Sequence, residues 1–153
     1  MKLLSYERRD GTTGVGAVTA DGTGVIDLGE RMQLGDTGLR ELLERPDGIE
    51  QARDIVAAEE GRAAPGDEPL AGLLYDIPVR QPEKILCIGV NYAERNEEYK
   101  DGSAAPAYPS VFPRFARSFV GHERPLLRPP ESTQLDYEGE IALVIGRRGR
   151  RIP

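Results

Sequence analysis

The chain has 153 residues, of which 39% are hydrophobic and 30% are charged, and its formal net charge is −6 at pH 7. This composition is typical of a globular protein rather than a disordered one. No stretch approaches the roughly 20 consecutive apolar residues of a membrane-spanning helix, so we expect no membrane partner. The acidic balance argues against a general nucleic-acid-binding protein, which usually presents a basic face.

The compartment is predicted from the first residues and from the cysteine content. Charged Lys2 and Glu7 interrupt the apolar start too soon for a signal peptide. Cys87 is the only cysteine, which excludes a disulfide within the chain. Both observations favour a cytoplasmic protein.

The first part of the chain is predicted to be a small β-rich unit with helices. Tight-turn signals of the Asp-Gly type separate three short strands, at residues 3–8, 13–19 and 25–28. A short helix follows at residues 38–44. A second helix begins at Asp47, where Asp47 and Glu50 have the spacing of a capping box, and runs to about residue 60.

A boundary is predicted near residue 80. Residues 61–69 indicate a loop, and Pro78 and Pro82 are typical of a linker. We therefore divide the chain into a small N-terminal domain, residues 1–80, and the start of a second domain, residues 81–153. The predicted fold class is α+β.

The second part begins with a continuous apolar run at residues 85–90, which predicts a strand buried on both faces. Residues 93–100 are compatible with a short helix, and residues 101–113 indicate an ordered loop. The last predicted strand carries the run D-Y-E-G-E at residues 136–140 and continues through the apolar residues 141–146.

Glu138 and Glu140 are the leading candidates for a functional site. Side chains two apart on a strand share a face, so the two carboxylates project together, while Tyr137 and Ile141 point into a core. A hard divalent cation such as Mg²⁺ or Mn²⁺ would relieve their repulsion because it prefers oxygen ligands. The alternative is a solvated face with two independent glutamates.

Three further features have a functional and a structural interpretation. His122, the only histidine, has a side chain suited to a general base, or it is an ordinary loop histidine. Cys87 lies within an apolar run, which favours a structural thiol over a nucleophile. Four arginines at residues 147–151 form a nucleic-acid- or phosphate-binding patch, or an exposed turn around Gly149.

Three motifs together resemble the fumarylacetoacetate hydrolase family. The stretch K-I-L-C-I-G-V-N-Y at residues 84–92 is similar to the opening of that family's catalytic domain. Residues 109–112 with Arg114 resemble its P-x-x-F-x-K segment, and D-Y-E-G-E with the following V-I-G resembles its D-Y-E-x-E-x-x-x-V-I-G motif. The resemblance covers residues 84–153, and residues 1–80 are similar to the small N-terminal domain of many bacterial members.

The resemblance implies a metal-dependent enzyme. Family members bind Mg²⁺ or Mn²⁺ through the two glutamates of E-x-E, here Glu138 and Glu140, and a later aspartate. The metal holds a 2-oxo acid, often a β-diketo acid, and stabilises an enolate during C–C hydrolysis, decarboxylation or isomerisation. Arg114 and Tyr92 are then expected to contact the substrate.

One position departs from the hydrolytic members of the family. Arg95 stands where they carry a histidine, and Glu98 stands at the position of the glutamate that helps it to activate water. Because arginine stays protonated, Arg95 cannot be that base. Either His122 replaces that base, or Glu98 acts alone, or the reaction is an isomerisation or decarboxylation that needs no activated water. In the last case Arg95 would bind a second carboxylate of the substrate.

The third metal ligand of the family is expected beyond Pro153, so we expect this chain to be the front part of a longer protein. The resemblance also implies a mixed β-roll catalytic domain and a homodimer. An alternative function is a non-catalytic protein, or an inactive fragment, that keeps the fold and has lost turnover.

Overall fold

The computed structural model describes residues 1–60, 66–92 and 107–153. The backbone falls into two compact units: unit 1 comprises residues 1–80 and 120–153, and unit 2 comprises residues 81–119. The chain therefore leaves unit 1 after Arg80 and returns to it at Val120. The division into domains at residues 1–80 and 81–153 stays a prediction.

Unit 1 contains a five-stranded antiparallel sheet, formed by β1 (Lys2–Glu7), β2 (Thr13–Val18), β3 (Gly24–Asp27), β4 (Glu68–Pro69) and β5 (Leu74–Tyr75). The order of the strands in the sheet is β4-β3-β2-β1-β5. The first three are the predicted strands, joined by tight turns with positive φ at Gly11 and Gly22. β4 lies at the end of the loop predicted at residues 61–69, so that prediction is wrong at these two residues, and β5 was not predicted from the sequence.

Among the described residues, three helices follow or flank the sheet: α1 (Leu28–Arg31), α2 (Leu39–Glu44) and α3 (Gly48–Glu60). The two predicted helices are confirmed as α2 and α3. The sequence prediction did not include α1, a single turn. Its N-cap is Asp27, whose side chain accepts a hydrogen bond from the backbone N–H of Glu30.

The core of unit 1 lies on both faces of the sheet, because alternate residues of a strand point to opposite sides. On one face, Val15, Ala17 and Ile26 pack against buried residues of the helices and the C-cap of the first helix, which are Leu28, Met32, Leu39, Leu42, Ala52 and Val56. On the other face, Leu4, Tyr6 and Val25 form a second cluster, covered by the segment that carries Leu70 and Tyr75. A helix layer against an antiparallel sheet confirms the predicted α+β class.

Unit 2 contains an antiparallel pair, β6 (Leu86–Gly89) and β7 (Ser110–Pro113), followed by a 3₁₀ turn at Ala116–Ser118. The predicted strand at residues 85–90 therefore forms, but its burial on both faces is wrong: Leu86 is 62% and Ile88 is 49% exposed. β7 lies at the end of the segment that was predicted to be a loop, residues 101–113, so the loop prediction is wrong at residues 110–113. The predicted helix at residues 93–100 lies outside the described residues.

The predicted strand around D-Y-E-G-E does not form. Residues 136–146 have no regular secondary structure, and Tyr137, Ile141 and Ile145, expected in a core, are 80% or more exposed. A strand requires a neighbouring strand for its backbone hydrogen bonds, and no described residue pairs with this segment. The mixed β-roll therefore stays a prediction.

In the described part of the chain, no helix combines the length and apolar character needed to cross a membrane.

Candidate functional site

Glu138 and Glu140 lie on the exposed segment at residues 136–146 of unit 1. The main chain at Gly139 is open, because a side chain there would meet no atom within 4 Å. At the start of the segment, the Asp136 carboxylate accepts a hydrogen bond of 2.8 Å from the backbone N–H of Tyr137. Both glutamates are thus accessible to a ligand from solvent.

The donor chemistry of this pair fits a hard divalent cation, since carboxylate oxygens are the ligands that Mg²⁺ and Mn²⁺ prefer. Within residues 1–60, 66–92 and 107–153, no group of three histidine, cysteine, aspartate or glutamate side chains is assembled. The described residues therefore supply two candidate ligands and no third.

Two of the predicted substrate-binding residues, Arg114 and Tyr92, lie in unit 2. Arg114 donates its backbone N–H to the carbonyl of Ile85 at 3.0 Å, and its guanidinium carbon lies 5.6 Å from the centre of the Phe112 ring. Tyr92 is 74% exposed. The other two predicted residues, Arg95 and Glu98, lie outside the described residues.

His122 lies in unit 1, next to the edge of the sheet. Its ring meets the ring of Tyr75 edge-on, with 5.5 Å between the ring centres. Its Nε2 lies 3.6 Å from the Glu123 carboxylate, and the side chain is 71% exposed. The His122 side chain is therefore accessible to solvent.

A charge network that the sequence analysis missed crosses the sheet of unit 1. The Arg8 guanidinium donates to Asp27 at 2.7 Å and to both carboxylate oxygens of Glu68. The Tyr6 hydroxyl lies within 3.2 Å of both carboxylates. Tyr6, Asp27 and Glu68 come from β1, β3 and β4, and Arg8 directly follows β1. The register of the sheet therefore brings together residues that are distant in sequence.

The network changes the proton affinity of its members. Burial raises the pKa of the Tyr6 phenol well above its ordinary value, and the negative charge of Asp27 adds to the effect. The hydrogen bond from Arg8 to Glu68 raises the pKa of the guanidinium further. The network is therefore a fixed ion cluster that holds Glu68, on edge strand β4, against the sheet.

A polar cavity of about 400 Å³ opens beside this network, between the start of β2 and the segment that joins α1 to α2. The arginines in its wall are already paired, Arg8 with Asp27 and Glu68, and Arg80 with Asp76 at 2.7 Å. Arg80 also donates to the carbonyls of Tyr6 and Gly14. We therefore interpret these charges as structural.

Comparison with known proteins connects the second part of the chain to a family. Residues 84–153 match the family described as "Fumarylacetoacetate (FAA) hydrolase C-terminal". This range includes β6, β7 and the D-Y-E-G-E segment.

Individual relatives extend the similarity to the first part. The chain is 32% identical to "Oxaloacetate tautomerase Fahd2a, mitochondrial" of Rattus norvegicus over 139 residues, which are 90% of this chain and 42% of that protein. It is 30% identical over 154 residues to "Oxaloacetate tautomerase fahd2, mitochondrial" of Xenopus laevis, covering 99% of this chain and 46% of the relative. The chain thus spans less than half the length of these relatives.

Proposed function

Because residues 84–153 match the fumarylacetoacetate hydrolase family, we propose that this chain forms part of a divalent-metal-dependent enzyme acting on 2-oxo acids. The observation that carries the proposal is the pair Glu138 and Glu140, two exposed carboxylates within the range that matches the family. We propose that these two side chains bind Mg²⁺ or Mn²⁺. When bound, such an ion would supply Lewis-acid stabilisation of negative charge on a substrate oxygen.

Among the reactions of the family, we propose keto–enol tautomerisation of a dicarboxylic 2-oxo acid such as oxaloacetate. The names of the relatives support this choice. In this reaction a proton leaves the carbon beside the carbonyl and a proton is added to the carbonyl oxygen, so no water is consumed. An enzyme of this kind does not need the water-activating histidine that Arg95 replaces.

The proposed roles of the remaining residues follow from charge. Arg114 and Arg95, with the phenol of Tyr92, would bind the two carboxylates of the substrate, because guanidinium groups match carboxylates in shape and charge. Glu98 or His122 would move the proton, since both side chains can accept and return one. The homodimer and the cytoplasmic location stay predictions.

A metal-binding measurement with matched variants tests the first step. Electron paramagnetic resonance measures the binding of Mn²⁺ to the protein. We expect wild-type protein to bind the ion, and we expect Glu138→Gln and Glu140→Gln each to weaken binding by more than about tenfold. Glu131→Gln is the control, because it removes an exposed carboxylate on the same polypeptide outside the motif. Equal affinity in all four proteins would contradict the proposed ligands.

The reaction is tested by following the ultraviolet absorbance of the enol form of oxaloacetate. We expect enol–keto exchange to accelerate with added Mn²⁺ and the acceleration to disappear in the two glutamine variants. Mn²⁺ binding without any acceleration would instead support the alternative function, a family member that binds metal and has lost turnover.

A further inference from the structure

The chain returns to the small β-sheet at Gly121, where it lies against the main chain of β5. A Cβ added to Gly121 would overlap the carbonyl oxygen of Tyr75 and would lie 2.8 Å from its carbonyl carbon and 3.0 Å from the Cα of Asp76. All three are backbone atoms, which cannot move aside as the end of a side chain can. This contact therefore requires a glycine.

Two side-chain contacts flank this close approach. The His122 ring packs edge-on against the ring of Tyr75. The Arg124 guanidinium binds the carboxylate of Glu7 at 2.6 Å, and both side chains are a little more than one-third exposed. Glu7 and Tyr75 belong to the adjacent strands β1 and β5, so the two contacts fall on one edge of the sheet.

The covering of β5 has a physical consequence. An edge strand exposes unpaired backbone groups, and a segment laid over it restricts access to them. The family match begins at residue 84, so Gly121 and Arg124 belong by sequence to the second part of the chain although they pack on the first.

We propose that residues 121–124 form a clasp, closed by Gly121 on Tyr75 and by Arg124 on Glu7, that anchors the segment leading to Glu138 on the N-terminal sheet. Arg124 precedes Glu138 by 14 residues (138 − 124). Fixing one end of this stretch lowers the entropy that a ligand at Glu138 and Glu140 must overcome. Arg124 and Glu7 are thus positioning residues, and this consequence for metal binding rests on the proposed function.

A charge-reversal cycle tests the clasp without any metal. Glu7→Arg and Arg124→Glu each place like charges together, whereas the double variant restores an opposite pair with reversed polarity. We expect amide hydrogen exchange in residues 120–128 to accelerate about two- to fivefold in each single variant and to return close to the wild-type rate in the double variant. Arg117→Glu, a reversal at an exposed arginine, serves as the control.

The glycine contact gives an independent measurement. We expect Gly121→Ala to abolish the nuclear Overhauser effect between the rings of His122 and Tyr75, which wild-type protein shows. The clasp is overturned if this signal persists, or if the double charge variant exchanges as fast as the single variants.

The affinity for Mn²⁺ separates a test of the clasp from a test of the proposed function. It is measured for wild-type protein, the two single charge variants and the double charge variant. We expect a few-fold loss in each single variant and recovery in the double variant. Equal affinity throughout would overturn the positioning role. A wild-type protein that binds no Mn²⁺ would overturn both the proposed metal site and the positioning role, whereas the exchange cycle would still decide whether the clasp exists.

Discussion

The ring of Tyr6 lies directly over the backbone of Gly14, its partner in the pairing of β1 with β2. A Cβ at residue 14 would approach the Tyr6 ring at 2.6 Å through Cε2 and through the hydroxyl oxygen. The ring cannot turn away, because it is fully buried and its hydroxyl lies within hydrogen-bond distance of Asp27 and Glu68. The absence of a side chain at Gly14 is thus a requirement of this sheet.

We therefore expect Gly14→Ala to lower the free energy of unfolding by about 1–3 kcal/mol, the usual cost of overpacking a core. Chemical denaturation followed by circular dichroism measures this quantity. Gly146→Ala is the control, since a Cβ there meets no atom within 4 Å. Similar losses in both variants would show that the Tyr6 ring has room to move.

The positive charge of Arg8 balances the negative charges of the Asp27 and Glu68 carboxylates. Replacing Arg8 by methionine removes this positive charge and keeps much of the side-chain volume. Asp27 and Glu68 are 13% and 24% exposed, so they would remain largely buried without a cation. We expect Arg8→Met to lower the free energy of unfolding by about 2–3 kcal/mol, below the value for a fully buried pair.

Two further variants check this interpretation of Arg8. Arg40→Met breaks an ion pair with Glu44, a residue that is 53% exposed, and should cost less than about 1 kcal/mol. Adding Glu68→Gln to Arg8→Met removes one of the uncompensated charges and should restore part of the lost stability. No recovery in that double variant would mean that packing of the Arg8 stem, rather than its charge, stabilises the sheet.

The regular part of this fold was predictable from short-range signals. The Asp-Gly turns mark the ends of β1 to β3, and Asp47 with Glu50 marks the start of α3. β4 and β5 were not predictable in this way, because two residues carry no periodicity and each strand is defined by a distant partner. Glu68 pairs with Val25 and Tyr75 pairs with Tyr6, which are more than 40 residues away.

At the candidate site, a clear sequence pattern did not predict the secondary structure. The motif at residues 136–140 has the spacing that indicated a family and two candidate metal ligands. The alternation of its side chains does not by itself create a strand. A strand forms when neighbouring backbone groups accept and donate its hydrogen bonds, and a sequence pattern does not contain that partner. Exposed Leu86 and Ile88 follow the same principle, since β7 alone covers neither face of β6.

The buried phenol of Tyr6 predicts a specific loss of stability at alkaline pH. Its pKa is raised in the folded protein, chiefly by burial and then by the charge of Asp27, so the folded state keeps a proton that the unfolded state releases near pH 10. The stability contributed by Tyr6 is complete below about pH 10 and falls as the pH rises towards the folded pKa.

We expect the free energy of unfolding to decrease more steeply above pH 10 in wild-type protein than in Tyr6→Phe. Tyr137→Phe, which alters a ring that is 92% exposed, should retain the wild-type slope. If wild-type protein and Tyr6→Phe lose stability in parallel between about pH 9 and pH 12, the phenol ionises equally in both states and the interpretation of the network is wrong.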